Sequence, residues 1–124
     1  MNIVDSSGWM EYFAAGANSS FFAPAIADVQ RLVVPSISLY EVFKKTLGSR
    51  SHEEALQAVA VMMAGSVAPL TADIALNAAA LSLELKLPMA DSIMLATARA
   101  YNATFWTQDA DFRDITGVRY ISKR

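Results

Sequence analysis

The sequence predicts a three-layer α/β/α domain built on a short-stranded, mainly parallel central sheet. Three observations predict it. Short β-branched or aromatic runs, Ile3-Val4, Leu32-Val33-Val34 and Thr104-Phe105-Trp106-Thr107, alternate with longer stretches of helical apolar periodicity. That alternation is the signature of parallel strands joined by crossover helices. At 124 residues the chain has room for one core and none for a second, so residues 1–124 are expected to form a single domain. Apolar residues make up 54% and charged residues 18%, which excludes intrinsic disorder and fits a well-buried globule.

The elements follow in order. Ile3-Val4 is a strand that ends at Asp5, and the serines after it cap a helix carrying Trp9, Met10, Tyr12 and Phe13. Asn18-Ser19-Ser20 opens a second helical piece over Phe21 to Gln30. Leu32-Val33-Val34 is a strand closed by Pro35. Ser38-x-x-Glu41 reads as a capping box for a helix that runs to Leu47 and stops at Gly48. A second box, Ser51 to Glu54, opens a helix to Ala64. Val67 to Leu70 suits an edge strand, where Pro69 is tolerated. Thr71 caps an alanine-rich helix through Leu85, and Pro88 starts a helix to Tyr101 whose only charges are Asp91 and Arg99. Thr104 to Thr107 is a strand, and Arg119-Tyr120-Ile121 is the last.

Composition removes several chemistries. Cysteine is absent, which excludes disulfides, thiolate zinc sites and thiol nucleophiles. The lone histidine, His52, makes a serine–histidine–aspartate triad or a multi-histidine metal site untenable, and its place in the first turn of a surface helix marks it as inert. A net charge of −2 is not that of a basic nucleic-acid coat. The start of the chain has neither a basic segment nor an apolar one of leader type, and the uncharged stretch from Ala55 to Ala72 is broken by Gly65 and Pro69. A cytoplasmic location is therefore expected.

Four carboxylates stand in unusual places. Asp5 terminates an apolar strand, and Glu41 lies among Leu39, Tyr40, Val42 and Phe43. Asp91 opens the most apolar helix, and Asp109 follows a strand, with Asp111 two residues on. In parallel sheets, sites gather beyond the carboxyl ends of the strands, where Asp5 and Asp109 fall. Each acid also has a plainer use. Asp5 suits a helix cap, Glu41 a capping box or a pair with Lys45, Asp91 a helix dipole, and Asp109 and Asp111 a turn. Gathered together, such groups would suffer desolvation and mutual repulsion, and a divalent cation bound by hard oxygen ligands relieves both.

In this order the residues resemble a known family. Ile3-Val4-Asp5-Ser6-Ser7, Ser38-Leu39-Tyr40-Glu41, Leu87 to Ala98 around Asp91, and Thr107-Gln108-Asp109-Ala110-Asp111-Phe112 together resemble the four motifs of PIN-domain ribonucleases, most closely the VapC-type toxins of toxin–antitoxin pairs. Many relatives carry a small apolar residue after the third aspartate, where this chain has Ser92. The resemblance implies a metal-dependent endoribonuclease of PIN-like fold. Asp5, Glu41, Asp91 and Asp109 would hold one or two Mg²⁺ or Mn²⁺ ions and perform catalysis, with Asp111 as an auxiliary carboxylate. Ser6 and Thr107 would hydrogen-bond the ligands from behind. A metal-activated water would hydrolyse RNA phosphodiester bonds.

An acidic site needs a basic rim to attract RNA. Lys44 and Lys45, one turn beyond Glu41, are the leading candidates, ahead of Arg50, Lys86, Arg99 and Arg113. Trp9, Tyr12, Phe13, Phe21 and Phe22 either fill the core or leave an apolar groove between the first two helices. In relatives such a groove receives the antitoxin. The apolar surplus and the resemblance both point to a homodimer, with no membrane association. The alternative is a catalytically weak or inactive PIN-like module that binds protein or RNA. A two-component receiver is excluded because no aspartate lies between Asp28 and Asp73. A haloacid-dehalogenase-type phosphatase is excluded because Ser7 stands where a second aspartate is needed.

Overall fold

The computed structural model describes all 124 residues. Five strands are present: β1 (Asn2–Val4), β2 (Val33–Pro35), β3 (Ser66–Ala68), β4 (Thr104–Thr107) and β5 (Val118–Tyr120). The six α-helices are α1 (Ser6–Phe13), α2 (Ser19–Ala27), α3 (Ser36–Ser49), α4 (His52–Met62), α5 (Ala72–Leu85) and α6 (Met89–Ala100). Every strand pair is parallel. β1, β4 and β5 are neighbours in that order, with Ile3 opposite Phe105 and Val4 opposite Trp106. β2 pairs with β3, and a parallel bridge from Asn2 to Leu32 links this pair to β1. The spatial order is therefore β3-β2-β1-β4-β5, and it reverses direction between β1 and β4. The crevice at the carboxyl ends of those two strands is where such sheets place ligands.

Strand residues alternate between two cores, because successive side chains leave a strand on opposite faces. Ile3, Val33 and Phe105 pack with Ile74 and Leu81 of α5 and with Ile93 and Met94 of α6. Val4, Val34 and Trp106 pack on the other face with Trp9 of α1, Phe22 of α2, Val42 of α3 and Met62 of α4. The layers are α5–α6, sheet, and α1–α4. No helix is long and apolar enough to cross a membrane.

Several boundaries differ from the sequence expectation. The second helix ends at Ala27, and Val29–Arg31 forms a separate 3₁₀ turn, because the backbone leaves helical geometry at Asp28 (ψ 69°). α3 begins at Ser36, earlier than expected. Pro35 closes β2 with φ at −59° and delivers the chain straight into the helix, without a loop. Ser38 is thus already inside α3, so it caps nothing, and its buried hydroxyl has no hydrogen-bond partner. The capping-box reading of Glu41 fails with it. Gly48 does not stop the helix, which continues to Ser49. β3 and β5 each start one residue earlier than read from the sequence.

Gly8 fixes how α1 meets the sheet. A methyl at this position would lie 2.6 Å from the Phe22 ring and 2.7 Å from Val4 Cγ1, both fully buried. Around Gly48 there is open space instead. Gly8→Ala is expected to lower stability in urea denaturation by about 1–3 kcal/mol through overpacking. Gly48→Ala should raise it by a few tenths, roughly 0.5 kcal/mol, through helix propensity.

Candidate active site

β1 delivers Asp5 to the carboxyl end of the sheet, where its N–H donates to the Trp106 carbonyl (3.1 Å) and ties it to β4. The Asp5 carboxylate is almost wholly buried. It accepts hydrogen bonds from Thr107 Oγ1 (2.6 Å), the Gly8 N–H (2.8 Å) and Ser7 Oγ (2.8 Å to Oδ1, 3.0 Å to Oδ2). The Gly8 bond is the N-cap of α1, so this acid does serve as a cap, while its second oxygen is held by β4. The Thr107 hydroxyl accepts in turn from the Asp109 N–H (2.9 Å), and Asp109 Oδ1 accepts from the Asp111 N–H (2.9 Å). One chain of hydrogen bonds thus spaces Asp5, Asp109 and Asp111.

Glu41 reaches the crevice from the middle of α3. Its Oε1 accepts from Ser6 Oγ (2.7 Å), and it forms no ion pair with Lys45, since the sole ion pair is Arg50–Glu54. Asp91 enters from the first turn of α6, the helix buried from Ser92 to Ala98. Oxygens of Asp91, Asp109 and Asp111 lie within 4.8 Å of one another. Asp111, expected as an auxiliary group, is therefore part of the tightest triplet, and Asp5 and Glu41 stand outside it. Asp91 nevertheless feels all four of the other acids. Burial, followed by repulsion from Asp109, Asp5, Glu41 and Asp111, pushes the Asp91 carboxyl up to about 6. Burial likewise lifts Asp5 to about 6, against the opposing hydrogen bonds from Thr107, Gly8 and Ser7, and Asp109 adds repulsion.

Residues 3–118 match the family model of the PIN domain. The chain belongs to the PIN domain family. This PIN domain superposes on a chain of a toxin–antitoxin complex from Klebsiella pneumoniae with a TM-score of 0.78, at 24% identity and 96% coverage of both chains. VapC20 of Mycobacterium tuberculosis, described as a toxin that cleaves the sarcin–ricin loop, gives 0.74 at 20% identity, over 90% of this chain and 92% of that one. DNA-bound VapBC from Salmonella typhimurium gives 0.73 at 17% identity and 98% coverage of both. At these identities the likeness is one of fold. No curated protein matches the sequence significantly.

Of the two fates open to the aromatics of the first two helices of this PIN domain, the core claims Trp9 and Phe22. Trp9 and Phe22 are fully buried, and Phe21 packs against Trp106 with ring centroids 5.2 Å apart. The large cavity, about 930 Å³, lies on the other side of α1, against α3 and α4. Met10, Phe13, Thr46, Arg50, Val61 and Lys123 are among its walls, and it reaches Ser7 and Gln108 beside Asp5. His52 sits with its ring edge-on to Phe43, away from the acids. Arg99 is exposed and makes no ion pair, and Arg50 is engaged by Glu54.

Sequence reasoning missed three contributors. Ser7 bonds both Asp5 oxygens, and Gly8 supplies the cap and the clearance for it. Gln108 accepts from Asn18 Nδ2 (3.0 Å) and donates to the Ser7 carbonyl (3.4 Å), bracing the two acid-bearing turns. The Asp-Ser-Ser-Gly run was the available signal for the first two, as an Asx turn entering a helix. Nothing local marked Gln108, whose partner is 90 residues away in the chain.

Both lifted carboxyls predict a pH dependence. Between their ordinary value of 3.8 and about 6, the folded state binds more protons than the unfolded chain. Stability without metal therefore falls as pH rises through that window. For buried Asp5 alone the span corresponds to about 3 kcal/mol. Urea midpoints in EDTA should drop between about pH 4.5 and about pH 7, and Asp91→Asn should flatten the fall and raise stability above it. A midpoint that climbs through this range in the metal-free protein would contradict the burial and crowding of these acids.

Proposed function

We propose that this PIN domain is a Mg²⁺- or Mn²⁺-dependent endoribonuclease and the toxin of a VapBC-type toxin–antitoxin pair. The observation that carries the reading is the convergence of five carboxylates at the point where strand order reverses, with no cation of the protein among them. The donor set suits the ion. Asp91, Asp109 and Asp111 offer hard oxygens within mutual reach, and no thiolate or imidazole joins them. Asp5, Glu41, Asp91, Asp109 and Asp111 would hold one or two ions and form the catalytic set. When bound, the metal supplies positive charge to the phosphodiester and makes water a nucleophile at neutral pH.

The chain's own residues do the positioning. Thr107 and Ser7 fix the rotamer of Asp5, and Ser6 fixes that of Glu41. Burial of Asp5 and Thr107 keeps bulk water from loosening the bond between them. Lys44 and Lys45 are exposed one turn beyond Glu41, and they would neutralise RNA phosphates flanking the cut. An antitoxin segment would take the 930 Å³ cavity, a reading supported by its mix of apolar walls with Arg50, Glu54 and Lys123 and by its end next to the acids. Such a segment could place a basic side chain among the carboxylates. The exposed Leu76 and Leu83, two turns apart on α5, support a homodimer.

Cellular RNA should be cut by the purified chain with Mg²⁺ or Mn²⁺ and left intact in EDTA. Asp91→Asn and Glu41→Gln should each cost at least about 100-fold in rate, while Ser6→Ala and Thr107→Val should weaken metal affinity by about 10- to 100-fold. The metal should also raise the melting temperature, most strongly above pH 6, where the free acids are ionised. A folded chain that cuts no RNA with either ion would leave a binding module as the reading. Light scattering should find a dimer that Leu83→Lys converts to monomer.

A further inference from the structure

Resting on the nuclease reading, a second feature of α3 supplies what the acids lack, a means of holding the RNA chain. Residues four apart on a helix form rows along its surface. On α3 one row is Tyr40, Lys44 and Gly48, and the next is Glu41, Lys45 and Ser49. These six residues line a groove of about 470 Å³ that begins at Glu41 and runs away from the acidic cluster.

Tyr40 is 58% exposed although it is a large aromatic. Its ring meets only one cation, Lys44, whose Nζ lies 5.5 Å from the ring centroid and 3.3 Å from the phenol oxygen. Neither Lys44 nor Lys45 is paired with a carboxylate, so both charges are free for phosphate. At the far end, Gly48 has no steric reason to be glycine, because an added Cβ meets nothing within 4 Å. A glycine in a helix costs stability. Here its lack of a side chain leaves the groove open.

We infer that this groove is the subsite for the nucleotide beside the scissile bond, with its base stacked on Tyr40 and its flanking phosphates on Lys44 and Lys45. Single-stranded RNA is the ligand class that uses such a surface, because unpaired bases stack on aromatic rings while cations follow the backbone. A duplex has no base free to stack on the ring.

The test is the binding of a short fluorescein-labelled single-stranded oligoribonucleotide, read by anisotropy in EDTA so that no chain is cut. Tyr40→Ala should weaken binding about tenfold, and Tyr40→Phe should recover it to within about twofold. Lys44→Ala and Lys45→Ala should each lower the salt slope of log Kd by about 0.7. Gly48→Ala should weaken binding while raising the melting temperature, a combination that a structural role does not produce. With Mg²⁺ present, Tyr40→Ala should raise KM more than it lowers kcat. Equal affinity of wild type and Tyr40→Ala for the single strand overturns the subsite, and if the wild type still cuts RNA the nuclease reading survives. Binding through Tyr40 without any cleavage overturns the nuclease reading and leaves the subsite standing. A change of molecular mass in Tyr40→Ala with RNA affinity unchanged assigns the ring to an interface between copies and overturns the subsite.

Discussion

Five like charges drawn from four parts of the chain share one crevice, and the rest of the structure is arranged to keep them there. Repulsion among them and their loss of water both oppose folding. Neither cost is met by a salt bridge, since no lysine or arginine pairs with any of the five. What opposes the cost is geometry. Asp5 is fixed by four hydrogen-bond contacts, and its neighbour Asp109 is spaced from it by a hydroxyl that donates to one and accepts from the other. The Thr107 hydroxyl is thus the joint between β1 and β4 at the site. Its burial makes it effective, because a hydrogen bond to a charged group strengthens as water is removed.

The sheet makes that joint possible. Parallel pairing of Val4 with Trp106 brings the ends of β1 and β4 level, so the residues after each strand face one another. The two cores then hold the elements that carry the other acids. α6 is packed on one face through Ile93, Met94 and Ala96, which lets its first turn present Asp91. α3 is packed through Val42 on the opposite face and presents Glu41 to Ser6. The acids belong to different layers and meet only because the strand order reverses there. A one-residue slip of β1 would exchange Ile3 and Val4 between the cores and carry Asp5 out of the crevice.

Much of this was legible in the chain. Strand positions follow from β-branched runs, and the alternation of strands with helices gives the layers. Asp5 and Asp109 betray themselves by ending apolar strands, and Asp91 by heading an apolar helix. What escaped was contact across distance. Asp111 was expected near the site as an auxiliary carboxylate, but only the 3₁₀ turn at Ala110–Phe112 shows that it lies against both Asp91 and Asp109. Gln108 and Asn18 are ordinary polar residues until the tertiary fold buries them as a brace. The choice between core and groove for the aromatics of α1 and α2 stayed open for a similar reason. Aromatic spacing on α1 shows that one face is apolar, but not which neighbour covers it.

Glu41 shows why local rules alone mislead. Ser-x-x-Glu is a sound signal for a helix start. Pro35 defeats it, because a proline that ends a strand with φ already helical lets the helix begin at once. Ser38 and Glu41 then fall inside the helix. Their side chains are released from capping, and Glu41 turns to the sheet end, where Ser6 meets it. The same early start fixes the phase of everything beyond it on α3. With Glu41 facing the acids, the next exposed rows must carry Tyr40 and Lys44 on one side and Lys45 behind. One proline thereby decides both where the carboxylate of α3 points and which face of the helix leads away from it.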